Sequence, residues 1–172
     1  ADMLRFAVDF PYPIAIRYPR GSAYEGMKNF RAPVEYGKSE LLYEEEDIAV
    51  IFVGHMAELA DRVRRELKKT GYSCSLVNAR FVKPLDKEML EYLAKDHSLF
   101  VTIEENVLTG GFGEQVTDYV SSARLNVHVR TIGISDDYVE HGNVEILRKE
   151  VGLDCDTIVK QAVSDYLTIK ES

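Results

Sequence analysis

The chain is 172 residues long, 45% hydrophobic and 29% charged, with 21 basic against 29 acidic residues and a net charge of −8. That length holds one domain with a proper core and room for an appendage. The acidic balance argues against a nucleic-acid or anionic-membrane partner, and no apolar run approaches the about 20 residues of a membrane span.

Residues 1–10 have no basic region ahead of a long apolar core, so no secretory signal is expected. Cys74 and Cys155 are far apart and lack metal-ligand spacing, which fits a reduced, cytoplasmic protein, with one disulfide as the minor alternative. Met3, Leu4, Ala7 and Val8 fall on one helical face, and the helix has to stop before Pro11 and Pro13. Residues 14–18 are short, apolar and partly β-branched, which predicts a buried strand with Arg17 and Arg20 at its end. Open α/β sheets bind ligands at such ends, and a guanidinium fork suits a phosphate or carboxylate. Surface salt bridges are the plainer reading of both arginines, and from the residues alone the favoured one. A helix and one strand cannot cover their own faces. Residues 1–31 therefore read as the end of another domain and a linker, and 32–172 as the main domain.

Residues 34–43 have strand character broken by Gly37, and 44–47 form an acidic turn expected to be solvated. The run 48–53, I-A-V-I-F-V, suits a strand covered on both faces. A helix over 56–69 follows, with Met56, Leu59, Ala60, Val63 and Leu67 on its apolar side and Gly71 as its stop. The plan repeats. A strand over 75–82 ends at Pro84, and Asp86 caps a helix bearing Met89, Leu90, Leu93 and Ala94. A strand over 99–104 precedes Gly110, Gly111 and Gly113 and a helix facing inward through Phe112, Val116, Tyr119, Val120 and Ala123. A strand over 127–134 leads to helices near 144–150 and 157–167. Alternating strands and helices imply a three-layer α/β/α fold with a mostly parallel sheet. The strand at 34–43 has only a short turn before the next one, so it is expected at an edge and antiparallel.

The glycine turn at 110–113 opens a helix after a strand, where an anion could sit, but the third glycine of a dinucleotide fingerprint is replaced by Val116. Tight strand-to-helix packing is the favoured reading. Glu104 and Glu105 are neighbours in a strand and so point to opposite faces, which makes them no ready acid/base pair. His55, His97, His128 and His141 have no metal spacing and read as structural. Ser135, Asp136 and His141 could be arranged into a triad on paper, but no glycine-flanked nucleophile elbow supports one.

Four motifs occur in order: A-I-R-Y-P-R-G at 15–21, N-A-R-F-V-K-P-L-D at 78–86, V-T-I-E-E-N-V-L-T-G-G-F-G at 101–113 and V-E-H-G at 139–142. With them, nearly the whole chain resembles the C-terminal part of the 1-deoxy-D-xylulose-5-phosphate synthases, a transketolase-like family. The resemblance implies an enzyme that uses thiamine diphosphate and Mg2+ to join a two-carbon unit from pyruvate, with loss of CO2, to glyceraldehyde 3-phosphate. The product feeds isoprenoid, thiamine and pyridoxal synthesis. The resemblance assigns residues 1–31 to the end of the pyrimidine-binding domain and the rest to the transketolase C-terminal domain, which serves mainly in subunit packing of a homodimer. It matches Arg20 to the arginine that holds the acceptor's phosphate, and Arg17 to a neighbouring arginine of less defined role. It puts the catalytic, cofactor and metal residues outside these 172, so the chain alone is expected to be inactive and to bind no cofactor. Residues 134–136 depart from the family, which usually has a proline before the aspartate. A transketolase, a 2-oxo acid dehydrogenase β subunit, and a non-catalytic module holding an anion at 110–113 are the alternatives.

Overall fold

The computed structural model describes residues 2–18 and 24–171. Its centre is the run of apolar residues that has no polar face. Strand β2 (Asp47–Phe52) sends Ile48, Val50 and Phe52 to one side of the sheet and Ala49 and Ile51 to the other, all of them buried. Strand β4 (His97–Val107) does the same with Leu99, Val101 and Ile103 against Phe100. Strands buried on both faces need helices above and below. Helices α2 (Ala57–Lys69) and α6 (Cys155–Glu171) cover the first side through Ala60, Val63, Leu67, Ile158, Ala162 and Tyr166. Helices α3 (Lys87–Leu93) and α4 (Phe112–Ser122) cover the second through Leu90, Leu93, Phe112, Val116 and Val120. The three layers are those expected.

With β1 (Glu40–Tyr43), β3 (Cys74–Asn78) and β5 (His128–Ile134), the sheet runs in the order β1-β3-β2-β4-β5. Every pair is parallel except β1 with β3, where Leu41 faces Val77. The edge position and antiparallel sense of β1 are as predicted. Its partner is β3, because both edges of β2 are already taken. Asp86 caps α3 as expected, its Oδ1 accepting from the Met89 N–H at 3.2 Å. Helix α5 (Val144–Glu150) lies on the surface with no buried residue. Among the described residues no helix is long and apolar enough to cross a membrane.

Several boundaries differ from expectation, each for a local reason. Residues 14–18 form no strand. Ile14 and Ile16 are half-buried and alternate with exposed Ala15 and Arg17, so one side rests on the molecule while no neighbouring strand offers a hydrogen-bond ladder. Strand β1 is shorter than 34–43 because Tyr36 and Gly37 turn, with Gly37 at φ +71° and pressed on Pro84. Strand β3 stops at Asn78, whose Oδ1 accepts from the Arg80 N–H at 3.1 Å and holds Arg80 in the left-handed region at φ 55°. Helix α1 (Asp2–Asp9) exists, but its inward side carries Phe6 rather than Leu4 and Val8, which are exposed. Phe6 meets Phe81 edge-on with ring centroids 5.7 Å apart, and Phe10 meets Tyr36 at 4.8 Å. The acidic turn is not simply solvated. Glu45 accepts from Arg64 at 2.5 Å, from the Cys74 N–H at 3.2 Å and from Lys68.

Candidate functional site at the carboxyl ends of the strands

Chain connectivity decides where this sheet can open a crevice. From β2 the chain passes through α2 on one face to β3. From β4 it passes through α4 on the other face to β5. Since β2 and β4 are adjacent, their following segments diverge, and the gap beyond their carboxyl ends is the topological switch point where ligands of open α/β sheets bind. Two titratable residues of the sequence reading arrive there. His55 sits in a single 3-10 turn, Gly54–Met56, straight after β2, and Glu105 lies near the end of β4.

These side chains meet. His55 Nε2 is hydrogen-bonded to Glu105 Oε2, while Arg148 from α5 brings Nε to 2.8 Å and Nη2 to 2.7 Å of Oε1. A fourth group comes from the far end of the chain: Arg17 Nη2 donates to the Glu105 backbone oxygen at 3.3 Å. Burial pushes the Glu105 carboxyl up, but the Arg148 and His55 contacts together outweigh it and hold its pKa below the ordinary carboxylate value. The side chains of His55, Glu105 and Arg148 are each about a third exposed, so the cluster orients groups more than it adds stability. Arg20 lies outside the described residues.

Glu104 points the other way, as the strand's alternation requires. It is buried, and its two carboxylate oxygens accept from the N–H groups of Phe112 at 2.8 Å and Gly113 at 2.7 Å. These are first-turn donors of α4, which no helical carbonyl can satisfy. The anion at the glycine turn is therefore an internal carboxylate, and the donors an external anion would need are occupied. The glycines make room for it. A Cβ on Gly111 would lie 2.6 Å from Glu104 Oε1, and one on Gly113 would lie 2.6 Å from Thr102 Oγ1. This agrees with the packing reading of 110–113.

The second motif also turns out to be a joint. Arg80 pairs with buried Glu40 at 2.6 Å and donates at 2.9 Å to the carbonyls of Ala32 and Pro33, fastening the segment that leads into β1. Ser135, Asp136 and His141 are exposed, and no hydrogen bond joins them. His97 is buried between Leu93 O at 2.7 Å and Ser75 Oγ at 2.9 Å. Both cysteines are buried free thiols, and burial pushes Cys74 up to about 12. Among the described residues no group of three or more His, Cys, Asp or Glu could hold a metal ion. Sequence reasoning missed the meeting of His55 and Arg148 at Glu105. A histidine following a strand-ending glycine was the available signal for His55, and there was none for Arg148.

The family model for the transketolase C-terminal domain matches residues 37–158. A 1-deoxy-D-xylulose-5-phosphate synthase from Lachnoclostridium phytofermentans is 48% identical over 163 residues, which cover 91% of this chain and 25% of the relative. Another, from Clostridium acetobutylicum, is 39% identical over 165 residues, covering 94% of this chain and 26% of the relative. The chain thus spans about a quarter of the length of these relatives. Among solved structures, a "split gene transketolase, inactive beta4 tetramer" superposes with a TM-score of 0.86 at 26% identity, over 98% of this chain and 55% of that one. A transketolase from Campylobacter jejuni superposes with a TM-score of 0.54 at 20% identity, over 74% of this chain and 18% of that one, a likeness of fold alone.

Proposed function

Because the chain belongs to the transketolase C-terminal domain family, we propose that it is the C-terminal part of a 1-deoxy-D-xylulose-5-phosphate synthase. The observation that carries this is the 48% identity over 163 residues to a relative of that name. The likeness to solved transketolases is 26% and 20% identity, against 48% for that relative, which gives weaker support to the transketolase alternative. The complete enzyme would condense pyruvate with glyceraldehyde 3-phosphate and release CO2. On this reading residues 1–31 close the preceding domain and 32–172 form the C-terminal one.

Thiamine diphosphate, when bound in the complete enzyme, supplies the carbanion-stabilising chemistry. The described residues hold no cluster fit for its metal, so no step of that chemistry is assigned to them. The work of this chain is to carry Arg17 and Arg20, with Arg17 held at the end of β4 by the Glu105 carbonyl. Arg20 is assigned to the acceptor's phosphate, as its position in R-Y-P-R-G implies; its guanidinium would meet the dianion with a planar fork. Arg17 is a weaker candidate for the same anion, since it already donates to Glu105. The 172 residues alone would not decarboxylate pyruvate, and self-association of the chain is supported by the tetramer of its solved relative.

Steady-state kinetics of Arg20→Ala in the complete enzyme test the assignment. Loss of a charge-assisted bidentate contact should cost roughly 2–3 kcal/mol, a rise in KM for glyceraldehyde 3-phosphate of roughly thirty- to over a hundredfold. A folded variant with unchanged KM refutes the role of Arg20. A complete enzyme that makes no 1-deoxy-D-xylulose 5-phosphate refutes the function.

A further inference from the structure

The opposite end of the sheet, where the strands begin, holds a buried polar cluster that the proposed function does not use. Ser75 lies in β3, His97 opens β4, and Glu45 stands just before β2. Ser75 and His97 are both buried. The Ser75 hydroxyl oxygen has three polar neighbours. The Glu45 N–H nitrogen is 2.8 Å away, the Glu45 carbonyl oxygen 3.0 Å and His97 Nε2 2.9 Å. The other ring nitrogen, Nδ1, lies 2.7 Å from the Leu93 carbonyl oxygen.

Hydrogen-bonding capacity decides where the protons sit. A carbonyl oxygen only accepts, so Nδ1 carries a hydrogen, and a neutral ring then has a bare Nε2. A serine hydroxyl has one hydrogen and two lone pairs. The Glu45 N–H takes one lone pair whatever the ring does. One hydrogen and one lone pair are left for two partners, the Glu45 carbonyl and Nε2. With a neutral ring both partners are acceptors competing for that hydrogen. The imidazole nitrogen is the more basic and takes it, which leaves the carbonyl facing a lone pair. With a charged ring Nε2–H donates into the lone pair, the hydrogen turns to the carbonyl, and every contact is satisfied at once.

We infer that His97 and Ser75 form a proton-coupled rotor: the neutral Nδ1–H ring accepts from the Ser75 hydroxyl, and protonation of the ring turns that hydroxyl onto the Glu45 carbonyl. The proton comes from water and ends on Nε2, while the serine keeps its own. The device is independent of the proposed function.

The surroundings set which state prevails. Burial disfavours the cation and outweighs the Leu93 carbonyl and the carboxylates of Asp96, Asp47 and Glu46, which favour it. The remaining charges nearby are paired. The Glu45 carboxylate is held by Arg64 and Lys68 of α2, and Asp47 accepts from the Tyr166 hydroxyl of α6, with Lys170 at 3.9 Å. The ring is therefore neutral at about pH 7.5, and the cation enters as pH falls through the histidine range. Two effects then run in opposite directions. The fold as a whole loses stability with the buried charge, while the turn before β2 gains a hydrogen bond at its Glu45 carbonyl.

NMR of the isotope-labelled 172-residue chain tests this, with His97→Gln identifying the ring among the four histidines. At about pH 7.5 the His97 nitrogens should show a protonated Nδ1 and a bare Nε2. As pH falls, the Glu45 carbonyl carbon, read through the Glu46 amide, should move downfield with the same midpoint as the ring. Ser75→Ala should abolish that movement. It should also lower the ring's proton affinity roughly tenfold, because a hydrogen bond to a charged group is worth more than one to a neutral group. A thermal melt confirms that the variant folds, and the wild-type measurements stand without it. A protonated Nε2 at about pH 7.5 with a bare Nδ1 overturns the inference. So does a Glu45 carbonyl that stays still while the ring titrates, or a folded Ser75→Ala chain in which His97 titrates as in the wild type.

Discussion

Replacing Glu104 by alanine should destabilise the chain more than any other single loss of a carboxylate at the ends of the strands. The carboxylate is buried and accepts from Phe112 and Gly113 at 2.8 and 2.7 Å, two donors with no helical partner. A hydrogen bond to a charged group contributes about 1.5–3 kcal/mol. The two share one charge, and removing that charge also releases its burial cost, so the net loss is about 2–4 kcal/mol. At about 2–4 °C per kcal/mol for a chain of this size, the melting temperature should fall by about 4–16 °C. Far-UV circular dichroism on heating measures it. Glu104→Gln keeps an acceptor and loses the charge, and should fall between the two. Glu105→Ala is the control, because its partly exposed ion pairs are worth no more than about 1 kcal/mol. The vacated helix start should then take an external anion, so phosphate or formate should raise the melting temperature of Glu104→Ala but not of the wild type. A Glu104→Ala chain that melts with the wild type, or a Glu105→Ala chain that loses more, refutes the reasoning.

Arg80→Ala leaves Glu40 buried without its cation and frees the carbonyls of Ala32 and Pro33. A loss of about 3–5 kcal/mol is expected in denaturant titration, with faster proteolysis near residues 32–33. His97 gives a pH dependence of defined sign. Burial, the largest influence, lowers its pKa against the pull of the Leu93 carbonyl, so the folded state favours the neutral ring. That stability is complete above the ordinary histidine value of about 6.5 and is lost as pH falls below it. Melting temperature should drop from about pH 7.5 to about pH 5.5, and His97→Gln should flatten the drop. Glu45 and Glu105, held below their ordinary value, give stability that is lost only as pH falls below about 4.5, so a second decline should begin there.

The layers of the fold were legible because burial leaves a period in the sequence. The unbroken run at 48–53 predicted a strand covered on both faces, and β2 is that strand. The cap at Asp86 and the opposite directions of Glu104 and Glu105 were readable for the same local reason. Residues 14–18 misled because apolar, β-branched composition reports a tendency to extend, while a strand also needs a neighbour. The acidic turn misled because solvation was inferred from charge, and the arginine and lysine that hold Glu45 come from α2.

The sequence by itself determined the alternation of strands and helices, the family, and the four motifs worth attention. Those rest on hydrophobic periodicity, turn chemistry and local order, which act between near neighbours in the chain. Only the tertiary structure decided what the motifs do. It made Glu104 the internal anion of the glycine turn, Arg80 the clamp on residues 32–33, and Glu105 the meeting point of His55, Arg148 and Arg17. The reason is physical. The contact of His55 with Glu105, across 50 positions, exists because β2 and β4 are adjacent, and that adjacency is a property of the sheet as a whole.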